Sequence, residues 1–567
     1  MEVCSVGSQD RGMTIARYLL SRLEQGGVRH LFGVPGDYVL DFLDETLRSP
    51  IRWIGNCNEL NAGYAADGYA RQNGLGAVVV TFGVGGLSLV NAVAGAFSER
   101  VPVVVISGAP HTARRRSNAL VHHLTRDYGL QFDVFRKITC DAALLVDPST
   151  APDEIDRVLS SCLSKKGPVY LEIPMDMALA RCRTPEPISF VKPPRSDPEA
   201  LSECVEEATR LIDRSERPMV LAGVELLRFD LARSALAMIE KVELPFATTV
   251  SSKSVLPELH PQFVGLYQGG LSLDAVREQI EESDCVLALG VWLTDFDTGL
   301  FSAKLDDRRL ILANTDRIRI KHHDYPDVRL ADFLDGLANS LAPRSYLASH
   351  PAQPVAARGT FVADPDKPLT VRRFQSGLDA FLDDSMILMA DTGDALCCAS
   401  ELHVEEPENF MVQAYYLSIG YTVPASLGVA LAKPAKRPVL LVGDGAFQMT
   451  AQEVSTLLRY DCHPVIFVLN NQGYTIERLI HEDGLYNDLQ NWKYHELPAV
   501  FGSGSIGLEV RTEGDLAKAL EIARGESDRL VLVELRVGPL DCSDALARFA
   551  DKIRKKTRDA TTVGVRA

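Results

Sequence analysis

Short apolar runs that alternate with helical patterns are what most limits the folds open to this chain, and the clearest case lies between Arg437 and Glu477. There VLLVGDGAF reads as a buried strand entering a glycine turn, AQEVSTLLRY has helical spacing, and PVIFVLNNQGY is a second buried strand that ends in amides. Together they make a βαβ unit. Its right-handed crossover leaves the two strands parallel, as neighbours or near-neighbours, with their carboxyl ends on one edge of the sheet. Asp444 then stands at one strand mouth and Asn470 and Asn471 at the other, with 26 residues between Asp444 and Asn471. Hard oxygen ligands of this kind suit Mg²⁺ or Ca²⁺, and Mg²⁺ completes its shell with phosphate oxygens and water. Gly443 and Gly445 leave backbone N–H groups open to a phosphate at the start of the next helix. GDG or NNQG alone is ordinary turn chemistry. In this order and spacing they read as a metal and diphosphate site.

The 567 residues leave room for three or four domains, and 46% apolar with 24% charged residues is the balance of an ordinary globular protein. A net charge of -17 works against binding to nucleic acid or anionic membranes. The basic cluster DKIRKKTRDA is short and mixed with acids, and reads as a solvated helix end. Eleven cysteines without C-x-x-C spacing, the adjacent Cys397 and Cys398 included, read as free thiols of a reducing cytoplasm. MEVCSVGSQDRG lacks the apolar core of a signal peptide. Gly76 to Phe97 is uncharged and long enough to cross a bilayer, but it divides into GAVVVTF, GVGG and LSLVNAVAGAF. Strand, glycine turn and buried helix account for it.

In chain order, TIARYLLSRLEQGG predicts a helix with a glycine stop, and HLFGVPGDYVLDFLDETL a strand, a Pro-Gly turn and a helix. IRWIGN, GAVVVTF, VPVVVISG and GPVYLEIPMDM are further strands. TPEPISFVKPPRSDPEA reads as a linker. A second alternation follows with PMVLAG, LPFATTV, VLALGVWL and RRLILANTD, its last strand leading into a helix. After a second linker, SHPAQPVAARGTFVADPDKP, the pattern resumes with MILMADTGD, the GDG unit and LVLVELRVG. The expected fold is α/β, three consecutive doubly wound domains with mainly parallel sheets, spanning 10–185, 197–345 and 365–545. The first and third domains are candidates for diverged copies, although no residue-level repeat connects them.

The Gly443 to Glu477 stretch resembles the signature of thiamine-diphosphate enzymes, which begins GDG and ends NN. Its extension through Gly473 to Thr475, Ile476 and Glu477 looks like the pyruvate and indolepyruvate decarboxylase branch. Three linked domains are similar to that family's pyrimidine-binding, central and diphosphate-binding layout. The resemblance implies thiamine diphosphate and Mg²⁺ as cofactors, with Asp444, Asn471 and the Gly473 carbonyl on the metal. It places Asp394, Leu417, Ile419, Gly445, Ala446, Tyr474, Thr475 and Ile476 with the ligands around the cofactor. Leu417 would accept a hydrogen bond from the pyrimidine amino group, and Ile419 would wedge the cofactor into a bent shape. Glu59, in NELNAGYAADGYAR, matches the glutamate that favours the imino tautomer; standing alone it would read as a capping-box residue of a surface helix.

By the same resemblance, Asp37 and Glu477 serve proton transfers around the enamine left by decarboxylation, and His122 and His123 position the substrate and relay protons. Several titratable groups facing one cofactor can be held at different pKa values by their neighbours. A second histidine pair, His322 and His323, receives no role. Phe296, Ile476 and Ile480 look like pocket walls of the pyruvate type. The loop residues Leu396 and Cys397 and the terminal ARFADKIRKK offer few large rings, which would leave room for an aromatic or branched 2-oxo acid. The expected activity is non-oxidative decarboxylation of a 2-oxo acid, with pyruvate, phenylpyruvate and indolepyruvate all open. The nearest alternative is a carboligase of the acetolactate-synthase type; a non-catalytic dinucleotide-binding protein is disfavoured because FGVGGLS fits the fingerprint poorly. The resemblance also implies a homo-oligomer with the cofactor between subunits, a dimer as the minimum and a tetramer as the expectation; the free thiols imply the cytoplasm.

Overall fold

The computed structural model describes residues 12–186, 195–346 and 359–564, with side chains to 555. The amino-terminal segment and part of each expected linker lie outside the described residues. Residues 12–186 and 427–433 pack as one compact unit, and the remaining described residues as another.

In the first unit the apolar runs become β1 (His30–Gly33), β2 (Arg52–Gly55), β3 (Gly76–Val80), β4 (Val103–Ala109), β5 (Ala142–Leu144) and β6 (Val169–Pro174). They form one parallel sheet in the order β2-β1-β3-β4-β6-β5. β3, β4 and β6 are buried along their whole length, as strands covered on both faces require. β5 has no counterpart in the sequence reading, because three small apolar residues carry no periodicity. The helix Ile15–Gln25 starts from Thr14, whose hydroxyl accepts from Arg17 N, and stops at Gly26. Ile15, Leu19, Leu20 and Leu23 bury its inner face among Val79, Val104 and Ile106.

The second unit holds two sheets. β7 (Pro218–Ala222), β8 (Phe246–Thr248), β9 (Phe263–Leu266), β10 (Cys285–Leu289), β11 (Leu310–Asn314), β12 (Arg317–Ile320) and β13 (His323–Tyr325) are ordered β13-β12-β11-β10-β7-β8-β9. Here the expectation of a helix directly after β11 is corrected. An antiparallel pair, β12 and β13, comes first, and only then the helix Leu330–Ser340. RIRI alternates an exposed and a half-buried arginine with buried isoleucines, an alternation over too few residues to stand out. His323 lies in this hairpin and pairs with Glu207 at 2.9 Å.

The last sheet contains β14 (Met386–Ala390), β15 (Phe410–Val412), β16 (Arg437–Gly443), β17 (Val465–Asn470), β18 (Ser505–Val510) and β19 (Leu530–Arg536), all parallel, in the order β15-β14-β16-β17-β19-β18. Counted within each sheet, this is the strand order of the first unit. The first and third domains, which share no residue-level repeat, thus share a topology. Both sheets reverse direction between their first and third strands, the switch point at which doubly wound folds bind ligands. Within the second unit Glu258, buried and ion-paired with Lys253 at 2.6 Å, ties the middle segment to the last by accepting from Val404 N at 3.1 Å.

Gly76–Phe97 resolves into β3 and two short helices, Val84–Ser88 and Val90–Ser98. Among the described residues no helix is long and apolar enough to cross a membrane.

His30, at the start of β1, packs edge-on to Tyr69 with centroids 5.5 Å apart, and its buried Nδ1 has no partner among the described residues. Burial, aided by Arg52, lowers its pKa to about 4. Between pH 4 and the ordinary histidine value of about 6.5 the unfolded chain binds more protons than the folded one. Its contribution to stability is thus complete above that range and is lost as pH falls through it. In His30→Phe the decline of Tm between pH 6.5 and pH 4 is expected to be shallower than in the wild type, measured by calorimetry.

Candidate active site

Three strand ends of the first unit meet in one cluster. β1 leads through the VPGD turn to Asp37 and Tyr38, β3 runs into Gly83, and the chain beyond β4 returns with His122 and His123. His122 Nε2 lies 2.6 Å from Asp37 Oδ2, which fixes the imidazole by a hydrogen bond to a carboxylate. The Tyr38 ring stacks on His122 at 4.8 Å, and its hydroxyl donates to the His122 carbonyl at 3.2 Å. His123 stands nearly perpendicular to His122, with centroids 4.8 Å apart. The structure brings Asp37, His122 and His123 together, and adds Tyr38, which the sequence reading passed over although it adjoins Asp37. Burial, with Asp37 beside it, raises the Tyr38 phenol above its ordinary pKa.

His123 has φ +65, a left-handed backbone that a branched or bulky residue adopts only when its surroundings impose it. Gly83 (φ +66) makes room: a Cβ there would lie 2.1 Å from the His123 carbonyl oxygen. Gly83 N donates to Gln131 Oε1 at 2.8 Å, and Gln131 Nε2 donates to Ser107 Oγ and to Tyr170 OH. Tyr170 donates in turn to Glu172, which Arg115 also engages at 2.9 Å. This buried network beneath the glycine loop left no trace in the sequence reading, since its members are scattered over four segments.

Glu59 opens the helix Glu59–Asn73 and is half-buried. It is not part of a capping box: Asn58 is the cap, accepting from Asn61 N at 2.8 Å. Gly85 faces its carboxylate, and a Cβ there would lie 3.5 Å from Glu59 Oε1.

In the second unit β16 and β17 are adjacent, with Gly443 in register with Leu469. Asp444, 1% exposed, accepts from Gly445 N at 2.8 Å and from Gly473 N at 3.1 Å. It has no ion pair among the described residues, and burial raises its pKa to about 6 against those two bonds. Asn471 is 5% exposed, and its Oδ1 has no partner among the described residues. The chain turns back at Gln472 (φ +63) and Gly473 (φ +148), where a Cβ would meet the Asn487 carbonyl at 2.1 Å. Arg478, also missed, bonds the Gln472 carbonyl at 3.0 Å and Asp488 at 2.7 Å. A buried carboxylate and an orphaned amide oxygen beside a backbone carbonyl form a hard-oxygen set that a divalent cation fits. Tyr474 packs its ring against Gly445, Ala446 is buried, and Thr475 donates to the Pro539 carbonyl at 2.9 Å.

Leu417 also has a left-handed backbone, φ +56. Its loop is pinned by Asp391, a buried carboxylate at the end of β14 that accepts from Gly420 N, Thr422 N and Thr422 Oγ1 at 3.0, 3.0 and 2.6 Å. Ile419 is half-buried in this loop, so it is not the plain core isoleucine that its apolar surroundings in sequence permit.

Asp394 is engaged by Ser543, whose hydroxyl donates to it at 2.5 Å, and burial raises its pKa to about 6. Ser543 directly precedes the helix Asp544–Gly564. Phe549 of that helix lies 6.0 Å from Phe296, centroid to centroid, so the terminal ARFADKIRKK does bring a large ring to the proposed pocket wall. Leu396, 2% exposed, packs instead in the core of the last sheet. Ile476 and Ile480 are half-buried on the helix Thr475–Ile480, and Glu477, in its first turn, is exposed with no side-chain partner among the described residues.

Three family models of thiamine pyrophosphate enzymes match the chain: the N-terminal TPP binding domain over residues 13–130, the central domain over 205–339 and the C-terminal TPP binding domain over 391–535. An alpha-keto-acid decarboxylase of Mycobacterium avium (strain 104) is 40% identical over 527 residues, 92% of this chain and 93% of the relative. A counterpart in Mycobacterium tuberculosis (strain ATCC 25618 / H37Rv) is 38% identical over 542 residues, covering 94% and 96%. A pyruvate decarboxylase of Aspergillus fumigatus is 35% identical over 563 residues, covering 96% and 97%. With its three α/β domains and its buried carboxylate and amide at adjacent strand ends, the chain belongs to the thiamine pyrophosphate enzymes. Its place there is the branch that includes these alpha-keto-acid and pyruvate decarboxylases.

Asp391→Ala is expected to leave the Gly420 and Thr422 N–H groups unpaired in a buried loop, a cost of about 1–3 kcal/mol each. A lowered Tm together with weaker thiamine diphosphate binding, followed by calorimetric titration, is the expected outcome.

Proposed function

We propose that the protein decarboxylates a small 2-oxo acid non-oxidatively to an aldehyde and CO₂, with Mg²⁺ accompanying thiamine diphosphate. The observation that carries this reading is the Asp37, His122 and His123 cluster, in a chain related over nearly its whole length to decarboxylases. When bound, thiamine diphosphate supplies the nucleophilic carbon and the electron sink for loss of CO₂.

The protein's part is to hold, orient and move protons. Asp444 and Asn471 side chains and the Gly473 carbonyl are assigned to Mg²⁺, and the backbone at Gly445 and Ala446 to the diphosphate. Glu59 takes the aminopyrimidine nitrogen, the Leu417 carbonyl its amino group, and Ile419 the space beneath the rings. Asp394, Tyr474, Thr475 and Ile476 complete the surroundings. Asp37 and Glu477 move the protons needed after CO₂ leaves and when the aldehyde departs; general acid–base groups of this kind contribute roughly 10²–10⁴-fold. Asp37 orients His122, and the two histidines bind and orient the substrate. Phe296, Ile476 and Ile480 are the assigned pocket walls, to which Phe549 is added. The substrate class takes in pyruvate and the larger aromatic or branched 2-oxo acids, and packing at these rings sets the preference among them. The three domains are taken as 10–185, 197–345 and 365–545, in a cytoplasmic homodimer or tetramer.

Purified protein given pyruvate, thiamine diphosphate and Mg²⁺ is expected to release CO₂ and acetaldehyde in equal amounts. Acetolactate as the main product, with no free aldehyde, would establish a carboligase instead. Glu477→Gln is expected to lower kcat by about 100-fold or more while cofactor affinity stays within a few-fold, the signature of a lost proton-transfer group. Comparing kcat/KM for pyruvate, phenylpyruvate and indolepyruvate then identifies the preferred acid.

A further inference from the structure

Asn470, the residue before the assigned cation ligand Asn471, is held from behind by a carboxylate that has no role in the assignments above. Glu534 lies in β19, in register with Val468 of β17, and is 0% exposed. Both its oxygens are saturated. Oε1 accepts from Asn470 Nδ2 at 2.6 Å and is ion-paired with Arg536, 2.9 Å from its Nε. Oε2 accepts from His495 N at 3.2 Å and lies 2.5 Å from His495 Nδ1.

Asn470 Nδ2 makes a second bond, to Asn491 Oδ1 at 3.0 Å, so both its hydrogens are used and the amide has one orientation. Asn470 Oδ1 is thereby left buried without a partner among the described residues, as is Asn471 Oδ1 one residue on. Immediately beyond, the chain leaves the extended strand and enters the left-handed turn at Gln472. Arg478 grips the far side of that turn through the Asn471 and Gln472 carbonyls, at 3.4 and 3.0 Å. Glu534 grips the near side.

The ligand atoms of His495, Glu509 and Glu534 lie within 4.8 Å of one another, a spacing open to a second metal. The Arg536 guanidinium already joins the two carboxylates, 3.0 Å from Glu509 and 2.9 Å from Glu534. It supplies the positive charge there, and the cluster is a closed ion network.

We propose that Glu534 is a positioning residue for the cation loop: through Asn470 it locks the end of β17 so that Asn471 Oδ1 is presented to the cation. The inference rests on the assignment of Asn471 to Mg²⁺. A hydrogen bond to an ionised, fully buried acceptor is short and strong, whereas a neutral acceptor holds the amide less firmly. Groups that orient metal ligands in this way typically change metal affinity by about 10–100-fold when replaced.

The test is calorimetric titration of Mg²⁺ into the full-length protein with thiamine diphosphate in excess, for wild type, Glu534→Gln, Asn470→Ala and the double variant, with the Tm of each cofactor-free protein measured alongside. Each single variant is expected to raise the Mg²⁺ Kd by about 10–100-fold. The double variant is expected to be no worse than the weaker single one, because the two side chains act as a unit. Mg²⁺ Kd values within twofold of wild type, with only Tm lowered, would reduce Glu534 to a structural strut and overturn the proposal. So would losses that multiply in the double variant. Absence of Mg²⁺ binding by the wild type would instead overturn the assignment of Asn471 and Asp444.

Discussion

The hydrogen bond from Gly473 N to the Asp444 carboxylate joins the mouths of two neighbouring parallel strands, and the site of the second unit is built around it. It draws the turn after β17 against the helix start after β16. In doing so it buries a carboxylate that has no ion-pair partner among the described residues, which is costly unless a cation or proton joins it. The cost appears as the raised pKa of Asp444. Around it lie an orphaned amide oxygen at Asn471, the left-handed turn at Gln472 and Gly473, and the Arg478 clamp. Together they form a set of hard oxygens of the kind that suits a divalent ion.

The same economy appears in the first unit, whose sheet has the same strand order. There too the candidate groups come from the carboxyl ends of parallel strands: Asp37 after β1, the glycine loop after β3, the histidine pair beyond β4. Each unit has a left-handed residue among its candidate site residues. His123 and Leu417 are not glycines yet hold left-handed backbones, each secured by buried hydrogen bonds, through Gly83 and Gln131 in one case and Asp391 in the other. Such strain persists only where surrounding structure holds it.

What could be read along the chain had local periodicity or close spacing. The fully apolar strands VVVIS and VIFVL, the helix after Thr14, and the Asp444 to Asn471 span with its glycines all carried such a signal. Strands β5, β9, β12, β13, β15 and β18 did not, being short or half exposed, and the sequence offered no period long enough to register them. Gln131, Tyr170 and Glu172 were illegible for another reason. They are polar residues whose meaning depends on meeting one another in a buried space, and no spacing rule encodes that.

By itself, then, the order of residues determined the succession of α/β units, the strand mouths at which Asp444, Asn471 and Asp37 stand, and the kind of ion those groups suit. These follow from short-range rules of burial, turn chemistry and right-handed crossover. Tertiary structure alone decided that Tyr38 stacks on His122, that Phe549 reaches Phe296, that Ser543 engages Asp394, and that Glu534 holds Asn470. Each of these pairings joins residues 64 to 253 positions apart, and side-chain packing selects them only once the sheets have formed.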